Sequence, residues 1–253
     1  MLGPVTLVLG LGRGVGIACA RRFAEAGHRV LVADSNETRM QKAENELGGR
    51  VVFHHGELHT RLGVKNVFAA TLEAYDVADN IVVIPPLFSP ESLADIEFET
   101  FDKGLAKTAR AAVMTLKLFD EHVAERETTP GSGIERSRQR GTATFVLGLS
   151  ALLADPGRFT EAFTQAAVLG AVRAGAVELA GSGIRCNAIS AVRPRAEDDE
   201  PWLRQRTPLR SAALADEIAD AAFYLASPAA AIVTGANLIL DGGRTALGGV
   251  MPD

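Results

Sequence analysis

Apolar positions along this chain fall into two alternating patterns. Short continuous apolar runs occur near 5–9, 28–33, 51–54, 80–84, 142–147, 185–189 and 237–240, and each predicts a strand. Between them, apolar residues recur every three or four positions near 17–26, 37–47, 61–75, 98–125, 159–180 and 214–225, and these predict helices. Gly27 follows the first helix as a C-cap, and the next strand closes on Asp34.

The strands are continuous runs and do not alternate apolar with polar residues. That is the signature of strands covered on both faces, and alternation with helices implies a parallel sheet between two helical layers. No repeat of fixed period is present. The Pro-, Gly- and Ser-containing stretch 127–141 reads as a surface excursion within one domain covering residues 1–253.

Composition narrows the function classes. With 47% hydrophobic and 23% charged residues, the chain can bury a large core. Its net charge of −5 argues against nucleic acid as a partner, and the arginines at 136, 138, 140, 204 and 206 read as solvated loop residues. No apolar run approaches the ~18–20 residues needed to span a bilayer, and the start of the chain has no leader pattern. Two cysteines, Cys19 and Cys186, are too few for a disulfide framework or a zinc site. The five histidines have no zinc-ligand spacing, and His54, His55 and His59 are expected in a loop. The expectation is a cytoplasmic protein with no membrane association and no metal.

The first predicted strand runs into Gly10-Leu11-Gly12-Arg13-Gly14-Val15-Gly16 and then a helix. In that context glycines allow a tight turn and let a pyrophosphate approach the backbone, while the helix N-terminus offers free N–H groups. Asp34, about 20 residues on, is placed to accept hydrogen bonds from adenosine ribose hydroxyls and to repel a 2′-phosphate. NAD(H) is therefore favoured over NADP(H), with Arg13 a minor counter-indication. The pattern is that of a Rossmann-type, doubly wound α/β fold.

Over essentially its whole length the sequence resembles the short-chain dehydrogenase/reductase family. Gly10, Gly14 and Gly16 match its G-x-x-x-G-x-G motif, and Glu57 stands where the family usually has an aspartate near the adenine. The segments 174–180, 183–188, 208–210, 217–219, 225–227, 233–235 and 241–243 are similar to the family's later elements. The cofactor-binding positions implied by the resemblance are Gly10, Arg13, Gly14, Val15, Gly16, Asp34, Glu57 and Leu58.

The departures concentrate where the family's chemistry resides. Its Y-x-x-x-K falls on Glu161 and Gln165, its serine on Gly148 and its helix asparagine on Thr108. The motif after the fourth strand reads Val83-Ile84-Pro85-Pro86, and the proline–glycine pair after the sixth reads Ala191-Val192. The chain's two tyrosines, Tyr75 and Tyr224, are followed four residues on by Asp79 and Pro228, and no lysine follows Lys117. Ser150 is two residues from the serine position.

A carbonyl–alcohol interconversion needs a proton donor at the developing alkoxide, and removing one typically costs ~10²–10⁴ in rate. Glu161 is expected to be an ordinary exposed residue at a helix start, where its charge suits the dipole. The prolines at 85 and 86 are expected to crowd the inner ribose of a cofactor. The resemblance therefore implies NAD(H) held by its adenine side alone, or lost altogether. Three readings follow: a non-catalytic subunit joined to an active paralogue in a heterodimer or heterotetramer; an NAD-dependent oxidoreductase using Glu161 and Ser150; or a nucleotide-responsive binding protein. The first resembles two-subunit members of the family such as 3-ketoacyl reductases and, more remotely, the hydroxyacyl-CoA dehydrogenase of anaerobic toluene breakdown.

Overall fold

The structure is a computed structural model that describes residues 3–88, 90–126, 140–192 and 205–250. Most of the 127–141 excursion, with Arg136 and Arg138, lies outside the described residues, as does Arg204.

Seven parallel strands form one sheet in the order β3-β2-β1-β4-β5-β6-β7. They are β1 (Val5–Leu9), β2 (Arg29–Asp34), β3 (Val52–His55), β4 (Asn80–Val83), β5 (Gly141–Gly148), β6 (Ile184–Ala191) and β7 (Asn237–Leu240). All five residues of β1 and all eight of β5 and β6 are buried, which accounts for their largely apolar character. His54 and His55 belong to β3, contrary to their expected loop placement, and the His55 ring contacts the Ser35 carbonyl at 3.0 Å.

One face carries α3 (Arg61–Tyr75), α5 (Ala111–Glu125) and α6 (Phe159–Glu178); α4 (Phe98–Leu105) precedes α5. The other carries α1 (Val15–Glu25), α2 (Glu37–Leu47) and α7 (Ala215–Ala226). Phe119, Phe145 and Ile184 are in the first layer, and Phe23, Ile189 and Ile218 in the second. Each layer also holds one fully buried cysteine, Cys186 in the first and Cys19 in the second.

The predicted helix over 98–125 is interrupted by a π turn at Ala106–Arg110. Thr108 Oγ1 donates to the Gly104 carbonyl oxygen four residues back at 2.7 Å, a bond that competes with the regular helical ladder.

In a sheet of this order, β1 and β4 connect to neighbours on opposite sides, leaving a crevice beyond their C-terminal ends. The glycine-rich turn lies at that crevice. The sequence segments at 183–188 and 233–235 also come together: Asn187 Nδ2 donates to the Val233 carbonyl, and the Ala236 N–H donates to Asn187 Oδ1.

Candidate functional site

The glycine-rich turn folds as it does because two glycines meet different demands. A side chain on Gly16 would overlap the Gly10 carbonyl oxygen and come within 2.6 Å of Leu11 Cα, so this position holds helix α1 against the turn. Gly14 has a φ of +89°, and a Cβ there would meet only open space. Immediately before Gly14, Arg13 takes a φ of 46°, a left-handed conformation uncommon for a residue with a side chain and one that costs ~1–2 kcal/mol. The turn thus offers an open backbone surface at the N-terminus of α1, which fits a pyrophosphate.

Asp34 ends β2 beside this turn, and its carboxylate is already engaged. Oδ2 accepts from the Leu11 N–H at 2.7 Å and from Arg39 Nε at 3.1 Å. Oδ1 accepts from the Asn36 N–H at 2.8 Å and from Arg39 Nη2 at 2.7 Å. Asn36 caps α2 by accepting from the Arg39 N–H, which sets Arg39 in the first helical turn with its guanidinium reaching back to Asp34. Burial would raise the Asp34 pKa, but the Arg39 and backbone hydrogen bonds and the Arg39 charge together hold it below the usual carboxylate value. Ribose hydroxyls approaching Asp34 therefore meet a fork of arginine donors around it, a feature the expectation of a free acceptor had not included.

Gly10, Gly12, Arg13, Asp34, Arg39 and Glu57 line one wall region of a cleft of about 460 Å³, with Leu58 and His59 beside them. Glu57 accepts at 2.8 Å from His59 Nδ1 when that ring carries its proton there. Of the other expected cofactor-binding residues, Val15 and Gly16 are buried behind the turn. The same cleft is also lined by Ile84, Pro86, Leu87, Phe88 and Pro90 and by the side chains Lys107 and Arg158. Of the proline pair, Pro86 is exposed and lines the cleft, while Pro85 is buried.

Thr108, Gly148, Glu161 and Gln165, expected from the sequence at the family's catalytic positions, are each tied to neighbouring residues. Glu161 is 7% exposed, which corrects its expected placement as an exposed helix-start residue. Both of its carboxylate oxygens have partners: Arg158, three residues earlier, donates from Nη1 to Glu161 Oε2 at 3.0 Å, and Ser150 Oγ donates to Oε1 at 3.0 Å. Gln165, one turn further along α6, accepts the Gly148 N–H at 3.1 Å, and its Nε2 is buried without a partner. Thr108 donates into its own helix. Leu149 and Val192 pack together with Ala212 beside this network, filling with apolar groups the place of the family's proline–glycine pair.

Glu91 ties the segment before α4 to the start of α6. Glu91 pairs with Arg158 as a short parallel bridge; its N–H donates to the Gly157 carbonyl, and its own carbonyl accepts from the Phe159 N–H. Thr160 Oγ1 donates to Glu91 Oε2 at 2.7 Å.

A doubly wound parallel sheet, a glycine turn at its switch point and an acidic residue closing β2 define a Rossmann-type α/β protein with a cleft beside that turn. Residues 10–245 match the family described as enoyl-(acyl carrier protein) reductase. The chain is 30% identical to a 2-(R)-hydroxypropyl-CoM dehydrogenase of Xanthobacter autotrophicus, across 97% of this chain and 100% of that protein. It is 29% identical to a galactitol 2-dehydrogenase (L-tagatose-forming) of Cereibacter sphaeroides, across 96% of this chain and 95% of that one. Its fold is similar to that of a 3-ketoacyl-(acyl-carrier-protein) reductase from Brucella melitensis solved with NADH, with a TM-score of 0.83, 24% identity and coverage of 96% and 98% of the two chains. The protein belongs to the short-chain dehydrogenase/reductase family.

Sequence reasoning missed Arg39, Lys107, Arg158 and the wall formed by Phe88 and its neighbours. Two of these had a local signal: Arg39 lies at the third position of a helix whose cap is Asn36, and Arg158 lies three residues before Glu161.

Proposed function

We propose that this protein holds an adenine nucleotide in its cleft without carrying out hydride transfer, and that it acts as the non-catalytic subunit of a complex with an active family member. The observation that carries this reading is the buried Ser150–Glu161–Arg158 network. A nicotinamide cofactor, when bound, supplies or accepts a hydride; the protein must then deliver or take a proton at the substrate oxygen. Glu161 has its two oxygens bonded to Arg158 and Ser150, and Gln165 is bonded to the Gly148 N–H. None of these groups presents a titratable proton donor to the cleft. The Brucella relative was solved with NADH, and the glycine turn with its open Gly14 surface supports retention of the nucleotide's adenosine and pyrophosphate portions here.

Exposed apolar residues on α4 and α6 favour a partner subunit. Phe98 is 77% exposed and Val177 76%, and Phe159 and Phe163 stack on this surface with ring centroids 6.3 Å apart. Such a surface is suited to helix packing against another chain.

The dehydrogenases among its relatives favour a second reading, an active NAD(H)-dependent oxidoreductase using Glu161 with Ser150. Purified protein assayed with NADH and a panel of keto substrates, including β-ketoacyl thioesters, separates the two. No turnover above background is expected. Turnover abolished by Glu161→Gln would establish the second reading in place of the first. Co-expression with an intact family member followed by native mass spectrometry tests the partner, and a mixed assembly is the expected outcome.

A further inference from the structure

The edge of the sheet opposite the glycine turn carries a second cavity, of about 790 Å³. Beside it runs a buried polar row in an otherwise apolar layer. Thr6 of β1, Asn80 of β4, Thr142 of β5 and Arg185 of β6 stand side by side in register, each at most 6% exposed. By strand alternation they share the face of Val8, Val82, Val146 and Ile189, the side that carries α1 and α7.

Contacts from this row close into a ring. Thr142 Oγ1 donates to Asn80 Oδ1 at 2.7 Å, and Asn80 Nδ2 donates to Thr6 Oγ1 at 3.3 Å. Thr6 Oγ1 in turn lies 2.8 Å from His28 Nδ1. The His28 ring meets the Phe223 ring edge-on, with centroids 5.8 Å apart. Just beyond α7, Ser227 donates its N–H to the Phe223 carbonyl, and its own carbonyl accepts from Arg185 Nη2 at 3.3 Å. Arg185 is the register partner of Thr142, where the circuit began. His28, Asn80, Phe223 and Ser227 therefore border one space, and all four line the cavity.

Counting hydrogens shows what that space offers. Having accepted from Asn80, Thr6 gives its own hydrogen to His28 Nδ1, so the neutral ring carries its hydrogen on Nε2. Nε2 bonds to no described residue. Asn80 keeps a second Nδ2 hydrogen after its bond to Thr6. Apolar surface from Phe223, Ala226 and Pro228 lies in the same lining. Charge favours an acceptor that is also an anion. Asp79, the acidic residue of the lining, has its oxygens on the Val5 N–H and on Arg126. Arg29 bonds the carbonyls of Gly3 and Tyr75, and Arg185 those of Val233 and Ser227. Neither of these charges meets a carboxylate among the described residues, and Arg185 Nε has no partner at all.

We propose that this cavity binds a small carboxylate with an apolar body, the carboxylate accepting from His28 Nε2 and Asn80 Nδ2 and the body lying against Phe223. The site is separate from the glycine-turn cleft, and its occupancy does not require a nucleotide there.

Titration calorimetry of the full chain at low salt, with phenylacetate and its neutral isostere phenylacetamide, tests this. Phenylacetate is expected to bind at least roughly tenfold more tightly than the amide, the size of one charge-assisted hydrogen bond. That preference is expected to vanish in His28→Phe, which keeps a ring against Phe223 and removes the donor. The same loss is expected in the double variant His28→Phe with Thr6→Val, which leaves no Thr6 hydroxyl without its acceptor. Thermal unfolding checks that each variant folds. Equal affinities for acid and amide, a preference that survives in the double variant, or no binding of phenylacetate would each overturn the proposal. None of these outcomes touches the nucleotide reading, which is decided at the other edge of the sheet.

Discussion

At the scale of single residues, the site is governed by which carboxylates already have partners. Glu161 and Arg158 are both largely buried, with side-chain exposures of 9% and 16%. Removing one charge of such a pair leaves the other uncompensated. Glu161→Gln is expected to lower unfolding stability by about 2–4 kcal/mol, whereas Ser150→Ala is expected to cost only about 1 kcal/mol; urea unfolding of the two variants measures the difference. A loss in Glu161→Gln no larger than in Ser150→Ala would show that the pair is solvated in solution. Asp34→Asn keeps the shape of the carboxylate but removes its charge from four donors, and a loss of about 2 kcal/mol is expected in the same measurement.

The residue scale is also where the sequence was least informative. Gly10 and Asp34 were legible because strand–glycine–helix order and a 20-residue spacing have a direct physical meaning, while Glu57 and Leu58 followed from the family resemblance alone. The bonding of Glu161 was not, because an acidic residue at a helix start is ordinarily solvated. Its burial depends on Ser150, eleven positions away at the end of β5, and on the Glu91 bridge from yet another segment. Contacts of that kind carry no periodic signal.

At the scale of elements, the strands and helices were readable almost throughout, since the central strands are buried on both faces and the helices each turn an apolar side to the sheet. The boundaries that shifted are instructive. Helix α1 begins at Val15, inside the glycine-rich turn, because Gly16 must pack against the Gly10 carbonyl for the turn to close. The π turn at Ala106–Arg110 was not foreseen, since one extra residue in a turn barely disturbs the apolar spacing. Two glycines of the turn provide a controlled comparison. Gly14→Ala has room for its methyl group and suffers only the left-handed backbone, a cost of ~1–2 kcal/mol. Gly16→Ala meets backbone atoms that have nowhere to move, so it is expected to be the more damaging and to lower thermal stability further. Equal melting temperatures for the two variants would mean that α1 can slide relative to the turn.

At the scale of the whole molecule, two histidines link the fold to pH. Burial lowers the pKa of His28 and of His122, with Arg126 adding to the effect at His122. The Ala78 N–H donates to His122 Nε2 at 3.0 Å, an arrangement that requires the neutral ring. Both groups take up a proton more readily when unfolded, so they contribute fully above the unfolded value near ~6.5 and progressively less as pH falls through it. The depressed pKa of Asp34 extends the decline below about pH 4. Urea midpoints measured between pH 7.5 and 5.5 are expected to fall, and His122→Gln is expected to flatten the slope. A midpoint that rises on acidification would contradict the buried, neutral placement of His122.

The placement of the two cysteines on opposite faces of the sheet gives the molecule a built-in pair of chemical clocks. Burial pushes both thiols up to about 12, so neither reacts with an alkylating reagent until its own layer opens. Labelling of Cys19 times the separation of α1 from the sheet, and labelling of Cys186 times that of α6 on the other side. A ligand that seats on the glycine turn should therefore slow the first clock more than the second, which makes occupancy of the cleft measurable by mass spectrometry without any enzymatic assay.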